Sequence, residues 1–305
     1  MKAPCDSRPW CHLYDPGPTD PEIALTAPAL LIALATELEK EGQYNAAKLL
    51  RAAATAAVTR ESTRLEVPRA PADQADLLEE WAGRLHDHAS SLAAPMRSAA
   101  DAIRAGTVPT YGETPDPHVC RICGLVRTEP FPGPCEDCGR WPTTAERVRA
   151  IYWQRASTPP EAIRLLSSTP EAIESILEVG DPSAPGPDGG WSAHQTLEHL
   201  HNAQGVFRGR IDQLVAGGEP ELESVMVWTM DGESQSTGEL FAAYRSLRTD
   251  ITDLLSSVSP QAWWNVGSHE EFGRVTLAEQ ASYFANHEPT HLTQLAQAAG
   301  VTPHD

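Results

Sequence analysis

Hydrophobic residues recur at every third or fourth position over most of this chain, the spacing of one face of a helix. Ile23, Ala27, Leu30, Leu34 and Leu38 form one stripe, and Tyr44, Ala47, Leu50, Ala53 and Ala57 form a second. A longer one runs Trp81, Leu85, His88, Leu92, Met96, Ala99 and Ile103, with Pro95 inside it. A proline there removes a backbone donor and crowds the preceding turn, so a kink is expected. Residues 22–106 therefore read as three helices, broken at Gly42 and at the Pro68–Pro71 stretch. The period-two alternation that marks strands is scarce.

The pattern changes between residues 107 and 142, where seven prolines (109, 115, 117, 130, 132, 134 and 142) leave little room for helix. From Thr143 onward helix starts follow one another. Thr143–Glu146, Thr158–Glu161, Ser192–Gln195, Ser236–Glu239 and Thr276–Glu279 all fit the capping box, a Ser/Thr oxygen on the N3 amide with a Glu/Gln reaching back. Stripes follow: Leu200, Phe207, Ile211 and Leu214; Leu240, Tyr244, Leu247, Ile251 and Leu254; Leu277, Ala281 and Phe284. Four main helices with longer connections predict a four-helix bundle. The link from Gly180 to Gly190 is too rich in Pro and Gly to be other than an exposed loop.

Composition narrows the function. The 305 residues carry 23 Lys+Arg against 42 Asp+Glu, a net charge of −19. Such a surface repels phosphate, so neither nucleic acid nor anionic membrane is an expected partner. No run of 18 apolar residues occurs, and the first residues lack the apolar core of a secretory signal. Four of the six cysteines sit in two C-x-x-C pairs, which points to metal binding in a reducing cytoplasm rather than to disulfides. Cys5, Cys11 and His12 lie in a Pro-rich stretch read, over residues 1–21, as a flexible tail.

Two groups of residues carry chemistry. Cys120, Cys123, Cys135 and Cys138 form two C-x-x-C-G turns, Gly124 and Gly139 supplying the positive φ such turns need. Two turns of this kind make an all-thiolate tetrahedral site suited to zinc or a single iron. In the last helix, His287 and His291 stand four apart on one face, with Phe284 and Leu295, and so point into the bundle. His199, beside the Leu200/Phe207 stripe, is placed to supply a third imidazole. Three His with an open position is the ligand set of a catalytic metal. The plainer alternative is that these His are merely buried and hydrogen-bonded. The string His-Glu-Pro-Thr-His also matches a metalloprotease motif with Glu288 as general base. Pro289 between the His pair, and no further ligand motif after it, count against that reading. Glu288 remains the candidate catalytic base, or a partner that supports the ligands.

The segment from Gly190 to Gln204, with its Trp191-Ser192 cap and His199-Leu200, resembles the DinB/YfiT-like superfamily of metal-binding four-helix bundles. Phe207–Ile211, Gly218–Leu222, the Leu247-Arg248 region, Phe272–Leu277 and His287-x3-His291-Leu-x-Gln294 continue the likeness over roughly residues 158–300. The resemblance implies His199, His287 and His291 as a triad holding a divalent metal (Zn, Ni or Fe), and lowers the protease reading. It further implies an activity of the kind found there, a thiol S-transferase or thiol-dependent isomerase in which the metal activates a low-molecular-weight thiol. The cysteine segment, His118–Val126 with Cys135–Gly139, resembles the rubredoxin-like knuckles of rubrerythrin. Glu41–Lys48 is faintly similar to that family's ferritin-like part, but residues 1–119 contain no Glu-x-x-His, so no di-iron centre is expected.

The expectation is a mainly α protein. It comprises the tail, a helical (degenerate ferritin-like) domain at 22–110 serving as scaffold or interaction surface, a four-cysteine module at 115–142, and a DinB-like bundle at 143–305. It would act on a small-molecule substrate or thiol, with a homodimer allowed. A non-enzymatic metal-binding sensor and a rubredoxin-like electron carrier remain the alternatives. His88 is expected as a core histidine, with His86 on another face, and Trp263 and Trp264 as the cap of the bundle end.

Overall fold

In the computed structural model, residues 21–65, 67–68, 70–152, 156–225 and 235–301 are described. Cys5, Cys11, His12 and the tail expected at 1–21 fall almost wholly outside them. The chain divides into two compact units between Gln74 and Ala75.

The first unit is a hairpin of α1 (Pro21–Lys40) and α2 (Tyr44–Ser62), turned at Gly42, whose φ of 77° suits a residue without a Cβ. The helices meet through small side chains: Ala35 on α1, and Ala47 and Ala54 on α2, are buried. Arg51 donates from both Nε and Nη2 to the Glu39 carboxylate at 2.7 and 2.8 Å. The buried face of α1 is not the predicted stripe, because Leu30 and Leu34 are exposed. Close packing of two alanine-rich helices selects the short side chain at Ala35, and the larger leucines are turned outward.

α3 (Pro71–Arg84) carries the chain into the second unit. The long third helix expected across Pro95 is instead two helices, α3 and α4 (Ala93–Ala105), joined through a 3₁₀ segment at Asp87–Leu92. The restart at Ala93 puts Pro95 in the first turn, where the missing N–H breaks no bond. His88 is consequently not a core residue. It is exposed and stacks on His86 at 5.8 Å between ring centroids.

A small antiparallel sheet follows, in the order β2 (Val126–Arg127), β1 (His118–Cys120), β3 (Ala145–Arg147). The helix start read at Thr143–Glu146 is overturned by β3, since Cys120 pairs with Ala145 and Val119 with Glu146. Edge pairing of β1 outcompetes a cap that has no apolar helical stripe behind it.

Four helices then form the bundle: α5 (Pro159–Val179), α6 (Ala193–Ala216), α7 (Thr237–Ser257) and α8 (Leu277–Ala298). The capping boxes at Thr158, Ser192, Ser236 and Thr276 are all present at their N-termini. α5 and α6 each pack against both α7 and α8, so α5 lies diagonally across the bundle from α6, and α7 from α8. Leu166, Ile173, Leu197, Leu200, Phe207, Ile211, Leu214, Tyr244, Ile251, Leu255 and Leu295 fill the interior. Each such side chain removed from water contributes roughly 1.5–3 kcal/mol. Strands were under-read by periodicity: β5 (Val266–His269) pairs antiparallel with β6 (Gly273–Thr276), and β4 (Glu221–Leu222) adds in parallel. Of the tryptophans between α7 and β5, Trp263 enters the core and Trp264 is exposed.

The residues leading to β1 are tied to the β5–β6 turn. Tyr111 N donates to Glu270 O at 2.8 Å, and the Tyr111 ring lies over Gly273. Buried Asp116 pairs with Arg147 at 2.7 Å and Arg149 at 3.4 Å, and Arg149 also pairs with Glu279 at the start of α8.

Candidate metal centres

The four thiols are brought together, their sulfurs all within 4.8 Å of one another. Gly124 N donates to Cys120 O (2.9 Å) and Gly139 N to Cys135 O (2.7 Å), so the two knuckles repeat one turn with φ of 83° and 68° at the glycines. Cys120 and Cys138 sulfurs are 3.7 Å apart, and Cys123 and Cys135 sulfurs 3.6 Å. Four thiolates on a tetrahedral ion with bonds of about 2.3 Å would sit about 3.8 Å apart, so the donor set fits zinc or iron. Burial opposes ionisation of Cys120, but the amides of Cys123 and Ile122 point at its sulfur and bring it down to about 6.

Across the second unit, α6 and α8 bring nitrogen atoms of His199, His287 and His291 within 4.8 Å of one another. His287 Nε2 and His291 Nε2 lie 3.1 Å apart, close to the spacing of about 3.3 Å expected for two imidazoles on one tetrahedral ion. His291 Nδ1 is 3.0 Å from Gln294 Oε1, an acceptor that favours the Nδ1–H tautomer and leaves Nε2 its lone pair. The Trp191 ring packs on His199 at 5.1 Å. Burial, then the neighbouring imidazoles, pushes His287 down to about 3, and burial and His199 lower His291. Both are therefore neutral at physiological pH, the form that donates to a metal. Helix α8 runs unbroken through Pro289, so the pair keeps its i, i+4 face.

Glu288 is elsewhere. It is 0% exposed, and its carboxylate faces Arg248, itself 2% exposed. Arg248 Nη1 donates to Oε2 at 2.8 Å, Nη2 pairs with Oε1, and the Tyr244 hydroxyl donates to Oε1 at 3.3 Å. Gln204 Oε1 and Leu166 O take two further guanidinium donors, at 2.9 and 2.8 Å. Burial, with Glu288 beside it, holds the Tyr244 phenol protonated. One residue of helix turns a side chain by about 100°, so a carboxylate next to an inward His287 leaves that face. Glu288 does not line the histidine cavity. It is tied into the bundle core, and the base role sought for it has no geometric support.

The three His open into a cavity of about 580 Å³. Its walls are largely apolar, with Phe207 and Phe284 stacked at 4.3 Å. Trp191 and Gln294 lie at the histidine end, and Arg210, Gln280, Tyr283 and Glu271 also line it. None of the last four stood out in the sequence as a site residue, although Gln280, Tyr283, His287 and His291 share one helical stripe. His269 ends β5, and its Nδ1 accepts from the amides of Glu271 (3.1 Å) and Phe272 (3.3 Å). His201, two residues after His199, does not line the cavity.

Among the described residues no helix is long and apolar enough to cross a membrane. No curated protein matches the chain. Among solved structures it is similar to YfiT from Bacillus subtilis, described as a probable metal-dependent hydrolase with an unusual four-helix bundle topology. The likeness has 21% identity, covers 50% of this chain and 95% of that one, and has a TM-score of 0.42. The family model of the DinB superfamily matches residues 127–295, which take in both helices that carry the three histidines. With more than half its length matched, the chain belongs to the DinB superfamily.

Proposed function

We propose that the protein is a metal-dependent thiol S-transferase or thiol-dependent isomerase, with a divalent ion (zinc, nickel or iron) held by His199, His287 and His291. The observation that carries the reading is the combination of three converging imidazoles, an apolar cavity in front of them, and Glu288 locked away in an ion pair. Hydrolysis at such a centre wants a general base for water, and the carboxylate adjacent to His287 is not available for it. A thiol needs less help, because a bound divalent ion lowers its pKa into the neutral range.

The residues of this chain set the stage for that step. Gln294 fixes the tautomer of His291, and Trp191 packs against His199. Phe207 and Phe284 form a wall that excludes water from a small-molecule substrate. Arg248 and Glu288 clamp α7 to α8 and so hold the helix that presents two of the three donors. The net charge fits a small-molecule partner rather than nucleic acid, and reduced thiols fit a cytoplasmic setting.

The test is thiol-conjugation and isomerisation assays on metal-loaded protein and on His199→Ala. Activity that vanishes with the histidine while the thermal melt is retained supports the reading, and unchanged activity refutes it. A second reading comes from the sulfur spacing of the cysteine module. Iron there would make it a one-electron carrier and colour the protein red, whereas zinc would leave it colourless and structural.

A further inference from the structure

The cavity extends well beyond the histidines, and its far end is polar in a way the thiol step does not use. His199 and His291 meet, and so do Phe207 and Phe284, so α6 and α8 run antiparallel. Arg210 follows His199 by eleven residues and Gln280 precedes His291 by eleven, which puts the two level at the opposite end. At 1.5 Å per residue, Gln280 lies about 10 Å along α8 from His287 and about 16 Å from His291, and Arg210 lies about 16 Å along α6 from His199.

Gln280 is 1% exposed, and among the described residues neither its Oε1 nor its Nε2 has a hydrogen-bond partner, although the residue lines the cavity. A buried amide without partners is a costly arrangement in the absence of something to complete it. At the same end of the cavity, the Arg210 guanidinium makes one hydrogen bond among the described residues, from Nη2 to Glu223 O at 2.7 Å, and has the Glu271 carboxylate as a nearby charge. Five N–H donors are available on such a group.

We propose that Arg210 and Gln280 form a carboxylate-binding subsite, so that the substrate is an elongated molecule with sulfur at the histidines and a carboxylate about 10–16 Å away. The sulfur end rests on the function proposed above; the carboxylate end stands on Arg210 and Gln280 alone. Two further groups line the same end. Tyr283 is held protonated by burial and offers an O–H. Glu271 accepts from Ser224 Oγ at 3.2 Å, and burial raises its pKa against the lowering effects of Ser224 and Arg210.

Calorimetry on zinc-loaded full-length protein tests this with three probes of matched length: an ω-mercaptocarboxylate spanning about 10–16 Å, its neutral carboxamide, and the alkanoate without sulfur. The acid is expected to bind at least about tenfold more tightly than the amide. Arg210→Gln should erase that difference, and Gln280→Leu should reduce it, with zinc content and melting temperature kept. Alkanoate binding that depends on Arg210, with no gain from the sulfur, would retain the subsite and refute the thiol reading. Equal binding of acid and amide, or an Arg210→Gln protein that binds as the wild type does, would overturn the subsite.

Discussion

Replacing Glu288 by Gln separates a structural carboxylate from a catalytic one. In the wild type, Arg248 sits in the bundle core with both Glu288 oxygens as its charge partner, Tyr244 adding a third donor to the carboxylate. The amide has the same shape but no charge, so Arg248 would retain only Gln204, Leu166 O and one weaker acceptor. Removing one member of a buried pair costs about 3–5 kcal/mol, and the retained acceptor places this substitution near the lower figure. At about 2–4 °C per kcal/mol for a unit of this size, the melt should fall by roughly 10 °C. Zinc at the histidines should remain, since Glu288 does not line their cavity. Removing both charges, as in Arg248→Met with Glu288→Leu, should recover most of the loss. Differential scanning calorimetry with metal analysis reads all of this. A Gln variant that melts within about 2 °C of wild type yet loses turnover would refute the reasoning and restore Glu288 as the base.

Three other outcomes follow from local geometry. Cys120→Ser should release the metal of the cysteine module and loosen the packing around Phe131, while the histidine site keeps its ion; elemental analysis distinguishes the two. His269, buried beside Arg210, is pushed from 6.5 down to about 4, chiefly by burial. The unfolded chain therefore takes up its proton first as pH falls, so stability should be lost between about pH 6.5 and 4, by about 3 kcal/mol from this residue. Urea titrations of His269→Asn across that window should show a flatter profile, and an unchanged slope would contradict the assignment. At Gly273 (φ 65°), a Cβ would meet the Tyr111 ring at 2.8 Å. Gly273→Ala should destabilise by about 1–3 kcal/mol, partly relieved by Tyr111→Ala, as measured by chemical denaturation.

The bundle was readable because its signals are local: four capping boxes, with stripes of spacing three and four behind three of them, mark the helices. The convergence of His199, His287 and His291 was readable for the same reason, as an i, i+4 pair plus a third imidazole behind a strong cap. Where the reading went astray, tertiary contacts decided. Strand β1 recruited Ala145–Arg147 away from a helix start. The stripe through His88 broke at the 3₁₀ segment Asp87–Leu92, after which Pro95 falls in the first turn of the next helix, and the α1 face shifted to Ala35 because two alanine-rich helices pack on their shortest side chains. Glu288 shows the limit of a motif, since its partner Arg248 lies forty residues earlier and the string His-Glu-x-x-His carries no trace of it. Gln280 and Arg210 gave no signal either; only the antiparallel register of α6 and α8 brings them to one end of the cavity.

Metal stoichiometry tests the central claim most directly. Full-length protein should carry about two equivalents per chain, one in each kind of donor set. Changing His287 to Ala should bring that to about one, with the tetrathiolate spectrum of the cysteine module unaltered. Two equivalents retained after the loss of His287, or a wild-type protein that binds metal only through its cysteines, would contradict the account.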